Sequence, residues 1–188
     1  MASGNTGKIL RVDLASGDIG VEEPDEMLYR RYLGGGGMGA YYLLKEVPRG
    51  ADPLGPENKL MFMTSPLNGT PLSGVNRYSA IAKSPLTGGY GEAEAGGYWG
   101  PELKMAGFDG IIVEGESAEP VYLYVHDGEA ELRDASSYWG QLADAVQHGL
   151  EEEIGDKRIR VLQTGVAGEN LVRYAAIVNQ QRHFHGRA

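Results

Sequence analysis

The residues best suited to binding or chemistry lie in one glycine-rich segment, GGYGEAEAGGYWG, at 88–100. Its six glycines leave backbone amides and carbonyls open to a large flat ligand, which side chains would keep at a distance. Glu92 and Glu94 could act as an acid/base pair, as solvated loop charges, or as oxygen ligands for Mg²⁺. A purely structural loop is the competing interpretation. A nucleotide-binding turn is disfavoured, because the segment lacks the G-x-G-x-x-G order.

The last residues of the chain, RHFHGRA at 182–188, hold a second group of candidate ligands. Zinc would need more ligands than His183 and His185, and the whole sequence has four histidines and no cysteine. Guanidinium groups match the geometry of phosphate instead. The segment therefore predicts an anion-binding loop built from Arg182, His183 and Arg187.

Composition and charge limit the classes of function. The formal net charge of −9 disfavours nonspecific binding to nucleic acid, which needs a positive surface. No apolar run approaches the ~18 residues of a membrane span, and residues 1–8 lack the apolar stretch of a secretory signal. We therefore expect a cytoplasmic protein that binds neither nucleic acid nor membrane, folded as a single domain over 1–188.

Hydrophobic periodicity and turn residues predict the elements that position these groups. In the first half they are a hairpin at 8–23, two helices within 24–47 separated by glycines 34–37, strands at 59–64 and 77–84, and a short helix at 101–107. In the second half they are strands at 110–115 and 120–134 with an Asp-Gly turn, a helix at 139–155 ended by Gly155, and strands at 158–165 and 172–180.

The two halves also share a local pattern. KLMFMTSPLNG leads to NRYSAIAKS, and RIRVLQTGVAGEN leads to VRYAAIVNQ, so each half has an apolar strand, a glycine turn and an Arg-Tyr-x-Ala-Ile strand. This pattern indicates an internal duplication in which Arg77 and Arg173 are equivalent. The predicted fold class is α+β, with two mixed or antiparallel β-sheets related by a pseudo-twofold axis and a few packed helices.

Four long motifs together carry a family resemblance: GKILRVDLASGDIGVEE, YLGGGGMGAYYLLKEVPRGADPLGPENKLMFMTSPLNGT, NRYSAIAKSPLTGGYGEAEAGGYWGPELKMAGFDGIIVEG and TGVAGENLVRYAAIVN. In this order they closely resemble the amino-terminal domain of tungsten-dependent aldehyde ferredoxin oxidoreductases, from Gly7 to Arg187. The resemblance implies a three-domain enzyme that oxidises aldehydes to carboxylic acids with water. Two electrons would then pass through a four-iron cluster to ferredoxin.

The resemblance also implies what this domain does in such an enzyme. It forms a saddle for a tungsten bis-pyranopterin whose phosphates share a Mg²⁺ ion, with molybdenum as the alternative metal. Arg77 corresponds to an arginine that contacts the pterin. Glu94 stands where many members have an asparagine near the magnesium, and Gly96 and Gly97 line the face of the cofactor.

In the tail, His183 occupies the usual arginine position of the family and Arg182 lies one residue earlier, so either is a candidate pterin ligand. Phe184 would contribute its backbone, and Arg187 matches a conserved-looking Gly-Arg turn of the family. The cluster cysteines and the catalytic residues belong to later domains in the family. We therefore expect a cofactor-binding fragment that is inactive by itself; a noncatalytic interaction module, able to form a homodimer, is the alternative.

Overall fold

The computed structural model describes residues 4–180 and the backbone of residues 183 and 184. Its largest element is a mixed six-stranded sheet in the order β2-β1-β6-β3-β4-β5. The pairing of β1 with β6 is parallel, and the other neighbours are antiparallel. The six strands are β1 (Ile9–Asp13), β2 (Ile19–Glu22), β3 (Lys59–Met63), β4 (Tyr78–Lys83), β5 (Tyr90–Ala95) and β6 (Gly110–Glu114).

Both faces of this sheet are covered, because successive residues of its strands point to opposite sides. Met61 and Met63 of β3 lie in one apolar cluster, and Phe62 between them lies in the other. Helices α1 (Glu26–Tyr32) and α2 (Gly35–Glu46) cover the first face, where Tyr42 of α2 is completely buried. Helix α3 (Trp99–Met105) packs on the second face.

The second half of the chain builds smaller units. A two-stranded hairpin of β7 (Val121–His126) and β8 (Glu129–Asp134) is followed by α4 (Ala143–Ile154). A three-stranded antiparallel sheet then combines β9 (Leu162–Gln163), β10 (Val178–Asn179) and β11 (His183–Phe184), with α5 (Gly165–Glu169) between its first two strands. Within the described residues, no helix is long and apolar enough to cross a membrane.

The α+β class predicted from the sequence is confirmed, and so are both hairpins. Asp127 and Gly128 both have positive φ, as a tight hairpin turn requires. Gly155 ends α4 in the left-handed conformation, with φ 76°. The pairing of β9 with β10 is antiparallel, like that of β3 with β4, but each strand of that pair has two residues. The internal duplication stays a prediction.

Three local predictions need correction. Glycines 35–37 form the first turn of α2 and do not separate two helices. Residues 165–169 form α5 where a turn was expected, and the strands expected at 158–165 and 172–180 are reduced to two residues each. Most importantly, residues 90–95 of the glycine-rich segment form β5, at the edge of the large sheet.

Candidate functional site

Strand β5 places Glu92 and Glu94 on an edge of the sheet, so neither residue lies on a loop as the sequence suggested. All six residues of β5 pair with β4, and Ala95 is buried against the second-face cluster. This pairing holds the backbone of a segment whose composition alone disfavours strands. Charged side chains are common on edge strands, where they discourage pairing with another chain.

Glu92 is held by neutral partners. Its Oε1 accepts a hydrogen bond from Ser79 Oγ at 2.9 Å, and its Oε2 accepts one from the Tyr90 hydroxyl, also at 2.9 Å. A Cβ built on Gly36 would lie 2.2 Å from Oε1, so the carboxylate packs directly against the first turn of α2. The position suits a carboxylate, because the N-terminus of a helix carries partial positive charge. Burial, together with Glu92, raises the pKa of Tyr90.

Glu94 faces a cation. Its Oε2 lies 3.9 Å from Nη1 of Arg77, the residue immediately before β4, and both side chains are about half exposed. A pair this long and this exposed contributes little to stability. The two carboxylates of β5 therefore have different surroundings: Glu92 fixes a helix, whereas Glu94 and Arg77 remain accessible to a ligand.

The glycine loop, which we define as residues 96–98, follows β5 directly. Gly97 has φ +91°, a conformation that a residue with a side chain rarely adopts. A Cβ built on Gly96 would meet no atom within 4 Å, so the space above this residue is open. The buried Asn179 of β10 donates from Nδ2 to the Gly96 carbonyl at 3.2 Å and to the Tyr78 hydroxyl at 2.7 Å.

These contacts bring the end of the chain to the glycine loop. Asn179 pairs with His183 in the β10–β11 ladder, and the Tyr98 amide donates to Gln180 Oε1 at 2.8 Å. The Gln180 amide in turn donates to the Val161 carbonyl at 3.4 Å. Arg160, next to Val161, lies with its guanidinium carbon 5.4 Å from the centroid of the Tyr98 ring.

The glycine loop rests on α3, which is anchored at both ends. At its start, Trp99 packs against Phe62 and Tyr78, with ring centroids 5.5 Å and 4.8 Å apart. Near its end, Lys104 forms a buried ion pair with Asp109. The backbone beside the open space is therefore supported from below by apolar packing and by a buried charge pair.

Asp109 is the centre of a second cluster, which we call the Asp109 cluster. Oδ1 accepts from Lys104 and from the Thr6 amide at 2.9 Å, and Oδ2 accepts from the Gly7 amide at 2.7 Å and from the Tyr29 hydroxyl at 2.9 Å. Burial acts to raise the pKa of Asp109, but these hydrogen bonds and the charge of Lys104 outweigh it, so the pKa is below its ordinary value.

Residues 9–188 match the family model described as the N-terminal domain of aldehyde ferredoxin oxidoreductase. The chain belongs to this family. It is 50% identical over 184 residues to the tungsten-containing aldehyde ferredoxin oxidoreductase of Pyrococcus abyssi, covering 98% of this chain and 30% of that protein. The protein of the same name from Thermococcus kodakarensis is 47% identical over 185 residues, covering 98% of this chain and 31% of that protein.

Relatives with other names share the same domain. The WOR-like subunit of an aliphatic sulfonate oxidoreductase from Pyrococcus furiosus is 37% identical over 195 residues, covering 96% of this chain and 31% of that protein. The solved active-site complex BamBC of benzoyl coenzyme A reductase superposes with a TM-score of 0.96 at 40% identity, covering 100% of this chain and 28% of that one. The chain thus spans less than a third of the relatives it matches.

The structure brings together four of the site residues predicted from the family motifs, namely Arg77, Glu94, Gly96 and Gly97. It places the backbone of His183 and Phe184 in β11, beside the strand that contacts the glycine loop. Arg182, Arg187 and the side chains of His183 and Phe184 lie outside the described residues. Within the described part of the chain, no group of three or more histidine, aspartate or glutamate side chains is arranged to hold a metal ion.

Sequence reasoning missed two residues next to the glycine loop, Asn179 and Arg160. Each has a weak local signal: Asn179 is a polar residue that ends the apolar run AAIV, and Arg160 alternates with apolar residues in RIRV. Neither pattern identifies the partner, since Asn179 contacts a residue 83 positions away.

Proposed function

We propose that this chain is the amino-terminal domain on which a tungsten bis-pyranopterin cofactor rests in a longer, multidomain oxidoreductase, with molybdenum as the alternative metal. The whole enzyme would oxidise an aldehyde with water to a carboxylic acid. Its later domains would bind a four-iron cluster that passes electrons to ferredoxin. The family membership and the names of the relatives support this proposal, and the composition supports a cytoplasmic location.

One observation about the structure carries the proposal: Arg77, the glycine loop and the strand pairing with His183 meet beside open space. The described residues fit a wide, anionic ligand. The guanidinium of Arg77 is about half exposed, and no atom would obstruct a group placed above Gly96. A flat ring system could approach the peptide groups of the loop closely, which larger residues at 96 and 97 would prevent.

Each candidate residue then has a distinct role. Arg77 would donate hydrogen bonds to the pterin or its phosphate, and Gly96 and Gly97 would lie against the cofactor face. Glu94 would provide one oxygen ligand to a Mg²⁺ ion held mainly by phosphates and water, which is how this ion commonly binds. In the tail, Arg182 or His183, the Phe184 backbone and Arg187 would contact the second pterin. When bound, the metal centre supplies the two-electron chemistry, so this domain alone is expected to be inactive.

The names of the relatives suggest a division of labour between domains. Proteins that share this domain are named for aldehydes, for aliphatic sulfonates and for benzoyl coenzyme A. A domain common to three substrate classes is suited to holding the shared cofactor, while residues elsewhere in the longer chains select the substrate. The TM-score of 0.96 to the benzoyl coenzyme A reductase complex makes reduction of an aromatic thioester the second candidate function.

Substitution of Arg77 tests cofactor binding. In the full-length protein, Arg77→Gln should weaken retention of the cofactor by about 10- to 100-fold, the usual effect of losing a charge-assisted hydrogen bond. Tungsten would be measured by mass spectrometry, and pterin by fluorescence after oxidative release. Arg30→Gln is the matched control, because Arg30 also forms an exposed ion pair, with Glu26. An Arg77→Gln protein that keeps its full content of tungsten and pterin would contradict the proposal.

The reaction itself is tested separately with the full-length protein. Reduction of an artificial electron acceptor by a panel of aldehydes is expected. Reduction of benzoyl coenzyme A by a strong reductant, without aldehyde oxidation, would replace the first candidate reaction with the second.

A further inference from the structure

We propose that Arg160 is a further cofactor-binding residue, whose guanidinium contacts a phosphate of the bound pyranopterin at the Tyr98 end of the glycine loop. The inference rests on the proposed function and extends it to a residue outside the family motifs described above. It depends on three observations: where Arg160 lies, what its side chain leaves unpaired, and how it is held.

The position of Arg160 is fixed by backbone and ring contacts. Its neighbour Val161 accepts the amide of Gln180, whose side chain accepts the amide of Tyr98. Arg77 meets the other end of the same stretch through Glu94. Since an extended chain advances at most ~3.6 Å per residue, the Cα atoms of Glu94 and Tyr98 are no more than about 14 Å apart. One ligand of cofactor size can therefore reach both arginines.

The hydrogen-bonding capacity of Arg160 is mostly unused. A guanidinium has five N–H donors. Here one of them, on Nη1, donates to the carbonyl of Ile159 at 3.3 Å, whereas the buried Nε has no hydrogen-bond partner among the described residues. Nor does any carboxylate in that part of the chain lie within ion-pair distance of Arg160, although Arg158, two residues earlier, pairs with Asp156 at 3.0 Å. Buried donors in folded proteins are almost always paired, so the Arg160 donor indicates a missing acceptor.

The way Arg160 is held favours a phosphate as that acceptor. Stacking near the Tyr98 ring restricts the plane of the guanidinium, and a restricted planar fork suits two parallel hydrogen bonds to phosphate oxygens. The chain carries a formal net charge of −9, so an anionic ligand needs local positive charge to offset the general repulsion. Arg160 provides that charge at the end of the glycine loop opposite Arg77.

The test compares two substitutions with a matched control in the full-length protein. Arg160→Gln removes the charge and the fork, Arg160→Lys keeps the charge, and Arg158→Gln removes a neighbouring exposed arginine. Pterin and tungsten per chain, and the rate of pterin release, would be measured for each. We expect release to be about tenfold faster or more for Arg160→Gln, intermediate for Arg160→Lys, and unchanged for Arg158→Gln.

Melting temperatures of the cofactor-free and cofactor-bound proteins separate binding from a structural role. Arg160→Gln should lower the melting temperature of the bound form and leave that of the cofactor-free form unchanged, because no partner is lost in its absence. An equal decrease in both forms would overturn the inference and indicate that another part of the full-length polypeptide pairs with Arg160. Wild-type retention in Arg160→Gln, with loss in Arg77→Gln, would overturn this inference alone; retention in both would overturn the proposed function as well.

Discussion

Helix α3 has a cluster of charged residues near each end, and the two clusters are built in opposite ways. At the Lys104 end, the Asp109 cluster gives one carboxylate four donors, from Lys104, Tyr29 and the amides of Thr6 and Gly7. At the Tyr98 end, Arg160 has a buried unpaired Nε. Beyond it, Arg77 and Glu94 are 3.9 Å apart and half exposed.

This difference separates charges that support the fold from charges that are available for binding. A buried charge with every partner in place is costly to disturb, because removing one group leaves another buried and unpaired. A charge with unused donors contributes little to the fold and can interact with a ligand. Substitutions in the two clusters should therefore have opposite profiles, one affecting stability and the other affecting cofactor retention.

The largest expected effect is at the Asp109 cluster. Asp109→Asn should lower the free energy of unfolding by about 3–5 kcal/mol, because it leaves the Lys104 ammonium, whose side chain is 7% exposed, without its counter-charge. Urea denaturation of the purified protein measures the loss. Asp127→Asn is the control, since Asp127 is fully exposed in a tight turn that asparagine also tolerates. Equal stability of the two variants would mean that the buried pair does not support the fold.

The next effect concerns the link between the glycine loop and β10. Asn179→Ala removes hydrogen bonds to the Gly96 carbonyl and the Tyr78 hydroxyl in a fully buried position. We expect a loss of about 1–3 kcal/mol in the free energy of unfolding, the usual penalty for leaving buried polar groups unpaired. Asn170→Ala is the control, because Asn170 bonds a backbone carbonyl on the exposed surface. A loss no greater than that of the control would show that this link is not structural.

Local sequence signals were sufficient for the hairpins and for the end of α4. At Asp127, Gly128 and Gly155 the required backbone conformation is set by the residue itself. Strand β5 could not be predicted in this way. Its glycines and carboxylates have low strand propensity, and it is a strand because β4 offers a complete row of backbone partners.

The candidate site divides in the same way. Arg77, Gly96 and Gly97 could be proposed from motifs that are continuous in sequence. Arg160 and Asn179 could not, because the features that single them out, an unpaired buried Nε and a bond across 83 positions, exist only in the folded chain. The described side chains of Glu92 and Glu94 show a further limit, since one sequence pattern contains two carboxylates with unlike surroundings.

Acid should reveal the Asp109 cluster without any substitution. The pKa of Asp109 is lower in the folded protein than its ordinary value near ~4, so its contribution to stability is present above that value and is lost as the pH falls below it. For this single group, stability changes by at most about 1.4 kcal/mol per pH unit. Urea midpoints at pH 7, 5 and 3 should therefore show the difference between wild type and Asp109→Asn shrinking only at the lowest pH. A constant difference across this range would assign the loss to packing.

The smallest expected change in stability, at Glu94, sharpens the comparison most. Glu94→Gln should alter the free energy of unfolding of the cofactor-free protein by less than about 1 kcal/mol, since the pair with Arg77 is long and exposed. In the cofactor-bound full-length protein, the same substitution should lower the magnesium content relative to tungsten, because it removes a charged oxygen ligand. Glu26→Gln, which breaks another exposed ion pair, should change neither quantity. If the ratio of magnesium to tungsten stays at the wild-type value, Glu94 is a partner of Arg77 and not a metal ligand. Cofactor retention would then increase, because the carboxylate would only have competed with phosphate for the same guanidinium.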